Sequence, residues 1–152
     1  MTTTAIPPLS KSRIRTLHRA GMEQGIPYVW GDKPALNLVI PDIPGSDCSG
    51  WVRYLVYHVS QGVCLLPEGS FEQHAHLKTF LRPYPYGGAT QIKGNLFLAF
   101  IEPAKQHAGH VWFVLDGVTL ECYGGHGVGS RDALAHPLPQ EVAACYHWPG
   151  LP

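Results

Sequence analysis

Two residues in this sequence stand where a nucleophile and its base would be needed. Cys48 sits in the run Gly45-Ser46-Asp47-Cys48-Ser49-Gly50-Trp51, between a turn-forming stretch and the first turn of a helix. Val52, Leu55, Val56 and Val59 follow at the i, i+3, i+4, i+7 spacing of a buried helical face. Asp47 and Ser49 are residue types that favour a helix start, and Gly45 lets the chain turn into it. A sulfur at that position faces unpaired backbone N–H groups and the positive end of the helix dipole. Both favour the thiolate, which is the nucleophilic form. His110 is the best partner, because it opens the apolar run His110–Leu115 after the loop Lys105-Gln106-His107-Ala108-Gly109. A strand-edge imidazole has a fixed direction and access to a cleft. It would lower the thiol pKa by forming an ion pair and then give its proton to a leaving amine.

Such a pair needs a third polar group to hold the imidazole in one tautomer. Glu121 lies on the run Val118–Tyr123, which returns from a turn at Asp116-Gly117 and so pairs with the histidine strand. Whether Glu121 falls directly opposite His110 depends on the register. His126, in the run Gly124-Gly125-His126-Gly127-Val128-Gly129, competes for the role. Tyr28 and Trp30 are two apart in an extended segment and share a face, lining either the core or a cleft beside Cys48.

The elements that must position these residues read as helices first and strands second. Residues 1–9 read as a flexible tail, with Pro7-Pro8 blocking helix. Ser10 or Ser12 caps a helix to about Glu23, with Ile14, Leu17 and Gly21 on one face and Gly25 closing it. Leu36 to Ile40 is an apolar run inside a proline-punctuated connection and reads as a short strand or flap. Gly62 ends the Cys48 helix. Ser70 opens a further helix with Gln73 at the capping-box position. On that helix His74 and His76 diverge by about 200° and read as a solvated edge. Residues 82–89 read as a loop. Leu96–Ile101, His110–Leu115, Val118–Tyr123 and Ala143–Trp148 read as strands, and residues 124–129 as a flexible loop that lacks the context of a dinucleotide fingerprint.

At 152 residues and 45% hydrophobic content the chain is long enough for one domain with a substantial core. Lys+Arg and Asp+Glu both number 11, with no basic stripe, so no nucleic-acid partner is expected. No stretch approaches the roughly 20 apolar residues that span a bilayer, and no membrane partner is expected. The N-terminus lacks the basic start and apolar run of a secretory signal. The four cysteines (Cys48, Cys64, Cys122 and Cys145) form no C-x-x-C pair, so neither a zinc site nor a disulfide scaffold is indicated. No metal or cofactor is expected.

The run Tyr28-Val29-Trp30-Gly31 followed by Asp47-Cys48-Ser49-Gly50-Trp51-Val52 resembles the N-terminal half of an NlpC/P60 peptidase. Leu66–Gln73 is similar to the segment leading into that family's next helix. Gly94-Asn95-Leu96-Phe97 resembles its G-D-L strand entry, and Gly109-His110-Val111 its catalytic histidine strand. The resemblance covers residues 26–128. It implies an α+β, papain-like NlpC/P60 fold, with N-terminal helices packed on a central antiparallel β-sheet. It also implies cleavage of amide bonds in peptidoglycan stem peptides, often between D-glutamate and a diamino acid. Carried over, Cys48 is the nucleophile, His110 the general base and acid, and the third position falls at or next to Glu121, where many members have histidine. Tyr28, Trp30, Asp47 and Ser49 are then substrate-binding, and the Cys48 N–H contributes to an oxyanion hole. Asp32 in place of a second glycine, the long connection from Asp32 to Ser46, Asn95 in place of aspartate and Glu121 in place of histidine all depart from the pattern. Relatives that act on lipids carry the histidine before the cysteine, and here Cys48 comes first.

The leading expectation is therefore a cysteine endopeptidase or amidase that acts on the cell wall. A phage lysis system, a phage tail or a secretion apparatus would deliver it. The alternative is an inactive module of the same fold that binds, associated with a tail or a wall.

Overall fold

The computed structural model describes residues 6–104, 108–136 and 139–152. Ser10 caps the first helix, α1 (Lys11–Gln24), by accepting a hydrogen bond from the Arg13 N–H at 3.3 Å. Gly25 ends it in the left-handed conformation, its N–H reaching the Gly21 and Met22 carbonyls. The second helix, α2 (Cys48–Val59), starts at Asp47 and ends at Ser60, two residues before Gly62. A third helix, α3 (Ser70–Leu77), packs beside α2.

The second half of the chain is an antiparallel sheet. Strands β2 (Arg82–Pro83), β3 (Leu96–Ile101), β4 (His110–Leu115), β5 (Val118–Tyr123), β6 (Gly127–Gly129) and β7 (Ala144–Trp148) run in the order β2-β7-β3-β4-β5-β6. A separate parallel pair joins β1 (Leu9–Ser10) to β8 (Gly150–Leu151). Asp116 and Gly117 both take positive φ (53° and 79°), the turn that matches strand twist in a two-residue hairpin, so β4 and β5 pair directly.

Both faces of this sheet are covered, which is why its strands read as continuous apolar runs. Leu96, Leu98, Phe100, Val111, Phe113 and Leu115 join the core against α1 and α2. Phe97, Ala99, Trp112 and Val114 pack on the opposite face beneath Tyr86, Ala89 and Ala133. Tyr86 and Ala89 belong to a short helix, α4 (Tyr86–Ala89).

Several local expectations are corrected. The tail does not extend to residue 9: Leu9 is fully buried and its N–H reaches the Pro149 carbonyl at 2.9 Å, while residues 1–5 lie outside the described residues. Residues 36–40 form no strand, because α2 takes their carbonyls: Tyr54 Oη donates to Leu38 O, and His58 Nε2 to Leu36 O, each at 2.8 Å. A 3₁₀ turn at Ile40–Asp42 follows. No capping box forms at α3, since Gly69 rather than Ser70 is its N-cap. The buried Gln73 amide instead donates to Ser49 O and Pro67 O at 3.0 and 2.9 Å.

His74 is no solvated edge. It stacks on Phe100 with ring centroids 4.6 Å apart, pairs with Glu102 through Nδ1 and meets Tyr146 Oη through Nε2 at 2.7 Å. Residues 82–89 form β2 and α4 rather than a loop. Residues 127–129 are strand β6, pinned when the Val128 N–H donates to Ile26 O at 3.0 Å.

Candidate active site

The D-C-S-G run is shaped by close approach. Asp47 accepts the Gly50 N–H on Oδ1 at 2.7 Å and the Ser49 hydroxyl at 3.3 Å, which fixes the first turn of α2. A Cβ at Gly50 would lie 2.9 Å from Asp32 O and 3.0 Å from Asp47 Oδ1 and Ser46 Oγ, so only glycine fits without displacing them. Upstream, residues 27–29 run parallel to Ser46: Ser46 N donates to Pro27 O at 3.0 Å and Val29 N to Ser46 O at 2.9 Å. This pairing sets Tyr28 beside the cysteine.

Cys48 stands at the first position of α2 and is 6% exposed, with Sγ 4.0 Å from the Gly109 carbonyl oxygen. The next residue, His110, faces Cys48 on one side, close enough for the sulfur to act on its charge. On the other side its Nε2 lies 2.8 Å from Glu121 Oε1, which leaves Nδ1 for the sulfur. The ring also stacks on Trp112, 5.1 Å between centroids. In the β4–β5 register Phe113 faces Leu120 and Val114 faces Thr119. Continuing that register sets Trp112 opposite Glu121, so His110 reaches the carboxylate diagonally along the same face.

Glu121 is fully buried, and a carboxylate there needs partners. Three residues supply four hydrogen bonds: His110, the Thr119 hydroxyl, and Arg131 through Nε to Oε2 at 3.0 Å and Nη2 to Oε1 at 2.7 Å. Burial works to lift its pKa, but the hydrogen bonds from His110 and Arg131, the charge of His110 and the Thr119 hydroxyl outweigh it and hold Glu121 down at about 2. Burial likewise opposes charge on His110, yet Cys48 and Glu121 raise it to about 9. The imidazole is therefore mostly protonated at neutral pH.

The structure brings Cys48, His110 and Glu121 together and leaves His126 out. His126 is exposed and stacks on Tyr123, centroids 4.8 Å apart. Tyr28, Trp30, Phe71 and Glu72 line a cleft of about 260 Å³ at Cys48. Trp30 is 74% exposed, so it belongs to the cleft rather than the core. Burial, followed by the nearby Cys48, Asp47 and Cys122, pushes the Tyr28 hydroxyl up to about 12, which keeps it a proton donor.

Asp47 and Ser49 also border the cleft, but their polar atoms are engaged within the chain. Ser49 is buried with its hydroxyl on Asp47, and Lys33 pairs with Asp47 Oδ2. Lys33 and Arg131 were not singled out from the sequence. Lys33 lies in the irregular connection after Trp30. Arg131 follows β6, outside every motif, and only the pairing of β5 with β6, with Glu121 opposite Gly129, brings it to the carboxylate. Residues 105–107 of the loop before His110 lie outside the described residues.

No protein-family model and no curated protein matches the chain. Solved structures do. An NLP/P60 family protein of Staphylococcus aureus, described as similar to lipoprotein, superposes with a TM-score of 0.59 at 17% identity, over 99% of this chain and 46% of its own. RipD of Mycobacterium tuberculosis, described as a non-catalytic NlpC/p60 domain protein adapted to peptidoglycan binding, superposes at 0.53 and 20% identity, over 91% of this chain and 98% of its own. The peptidoglycan hydrolase RipB of the same organism matches at 27% identity with a TM-score of 0.48, over 82% of this chain and 62% of its own. The chain thus spans about half of the staphylococcal protein. Helices packed on an antiparallel sheet, superposed on the first two of these proteins, give the chain the NlpC/P60 fold.

Proposed function

We propose, from this NlpC/P60 fold and the residues gathered at the start of α2, that the protein is a cysteine hydrolase of peptidoglycan stem peptides. The observation that carries the reading is the row in which Cys48 and the buried Glu121 flank His110, with His110 Nε2 on Glu121 Oε1 at 2.8 Å. In the proposed mechanism the Cys48 thiolate attacks the amide carbonyl, and the developing oxyanion is met by the Cys48 N–H, which has no partner within the helix. The amine leaves with a proton from His110, forming a thioester acyl-enzyme. Water, deprotonated by His110, then releases the acid. Glu121 keeps its charge throughout and holds the imidazole in one tautomer. The open cleft with Tyr28, Trp30 and Phe71 on its walls supports an extended, partly apolar substrate.

The test is release of new amino groups from purified peptidoglycan by wild type and by Cys48→Ala, with fragments identified by mass. Cleavage by wild type alone supports the reading and names the bond. If neither protein cleaves, and Cys48 reacts with iodoacetamide no faster than an ordinary thiol, the binding-module alternative replaces it. RipD, described as adapted to peptidoglycan binding, is a precedent for that outcome.

A further inference from the structure

The carboxylate of Glu121 is shared. His110 Nε2 and Arg131 Nη2 both point at Oε1, at 2.8 and 2.7 Å, while Arg131 Nε and the Thr119 hydroxyl hold Oε2. Arg131 is itself tightly placed. Its N–H donates to Thr119 Oγ1 at 2.8 Å, and its guanidinium lies over the Tyr123 ring, 3.9 Å from the centroid. The planar fork therefore meets both carboxylate oxygens in a fixed plane, which an ammonium cannot do.

We infer that Arg131 is a positioning residue of this site. Its guanidinium fixes the plane of Glu121 and, by competing with His110 for Oε1, limits how tightly the carboxylate holds the imidazolium proton. The inference rests on the hydrolase reading for its kinetic consequence, but not for its electrostatic one. A buried carboxylate facing the imidazole without a second cation would bind that proton more strongly. The imidazole would then be a poorer acid toward the leaving amine. With Arg131 in place the Glu121 carboxylate is shared between two cations, the imidazolium and the guanidinium.

The charged and titratable groups that bear on His110 come from each element packed around it. Cys48 faces it from α2, Glu121 from β5 and, through Glu121, Arg131 from the segment after β6. His18 of α1, Tyr86 of α4 and Cys122 of β5 lie near Glu121 and are neutral at pH 7. Arg131 is thus the cation whose removal changes the balance, and the sign follows from Coulomb's law. Deleting a positive charge raises the pKa of every nearby group.

The experiment is an NMR titration of the His110 ring, assigned with His110→Gln, in wild type, Arg131→Gln and Arg131→Lys. Arg131→Gln keeps a donor to Glu121 and removes the charge, so the His110 midpoint should rise by roughly one unit. Arg131→Lys keeps the charge and should leave the midpoint near that of wild type, while kcat on peptidoglycan falls several-fold at unchanged KM because the fork is lost. An unmoved or lowered midpoint in Arg131→Gln overturns the inference, since a merely structural role would loosen Glu121 from His110 and lower it. Should Arg131→Gln fail to fold, a fall of about one unit or more in Arg131→Lys overturns it instead. The titration needs no turnover. A raised midpoint in a protein that does not cleave peptidoglycan therefore upholds the charge balance and sinks the hydrolase reading alone. Cleavage with an unmoved midpoint does the reverse.

Discussion

Glu121 makes its site through what it cannot do, which is take up a proton. Held at about 2 by its donors, it stays charged across the working range and presents one fixed acceptor to His110 Nε2. Glu121→Ala should therefore lower peptidoglycan cleavage by roughly 10²- to 10⁴-fold, the range for losing an effective general base, with the loss seen in kcat. Glu121→Gln keeps the shape without the charge. It should move the His110 midpoint down, opposite to Arg131→Gln, and the two shifts are readable by the same ring titration. Glu121 was legible in the sequence because a two-residue hairpin fixes where a returning strand lies. Its choice over His126 was not, because both are near in sequence and only the diagonal of the β4–β5 pair decides. Arg131 was illegible for a stronger reason: its role exists only once β6 has paired with β5.

At the scale of the element, α2 is the best specified part of the chain. Its cap, its buried face and the position of Cys48 all follow from residues 47–59, since a capping carboxylate and a helical apolar period are local properties. Gly50 shows how tightly the start is packed. Gly50→Ala should cost roughly 1–3 kcal/mol in chemical denaturation, as an overpacked site does, and should slow iodoacetamide modification of Cys48 by displacing Asp47 or Ser46. Asp47→Ala should cost about 0.5–2 kcal/mol as a lost helix cap. The third helix is the contrary case. Its sequence reads as a capping box at Gln73 and a solvated edge at His74 and His76, but Gln73 turns inward to α2 and His74 is taken up by Glu102 and Tyr146. Those partners lie 24, 28 and 72 residues away, beyond anything a local pattern encodes.

Across the whole molecule two histidines give stability opposite dependences on pH. His18 is buried between α1, α2 and β6, accepting from Trp51 Nε1 at 3.0 Å and facing Gly129 O at 2.9 Å. Burial lowers it from 6.5 to about 4, so the unfolded chain binds a proton that the folded chain refuses as pH falls between those values, and stability drops there. His110 is raised to about 9, so its contribution is complete below 6.5 and disappears as pH rises through 9. Glu121 adds stability above 4.5 that is lost only as pH falls through about 2. Urea midpoints should therefore peak near pH 6.5 and decline on both sides. His110→Gln should flatten the alkaline side and leave the acid side in place.

The pairing of β1 with β8 carries a consequence for how the chain can be cut. Leu9 lies beside Gly150 and Ser10 beside Leu151, and the Ser10 hydroxyl donates to Pro152 O at 2.9 Å. Strands β1 and β8 thus bring residues 9–10 and 150–152 together, so the packing does not depend on the helices preceding the sheet in the chain. A short linker from residue 152 to residue 6, with new ends in an exposed turn such as Gly124-Gly125, should give a circular permutant that keeps the same packing. In it β6, β7 and β8 would precede α1, yet Cys48, His110 and Glu121 would still meet.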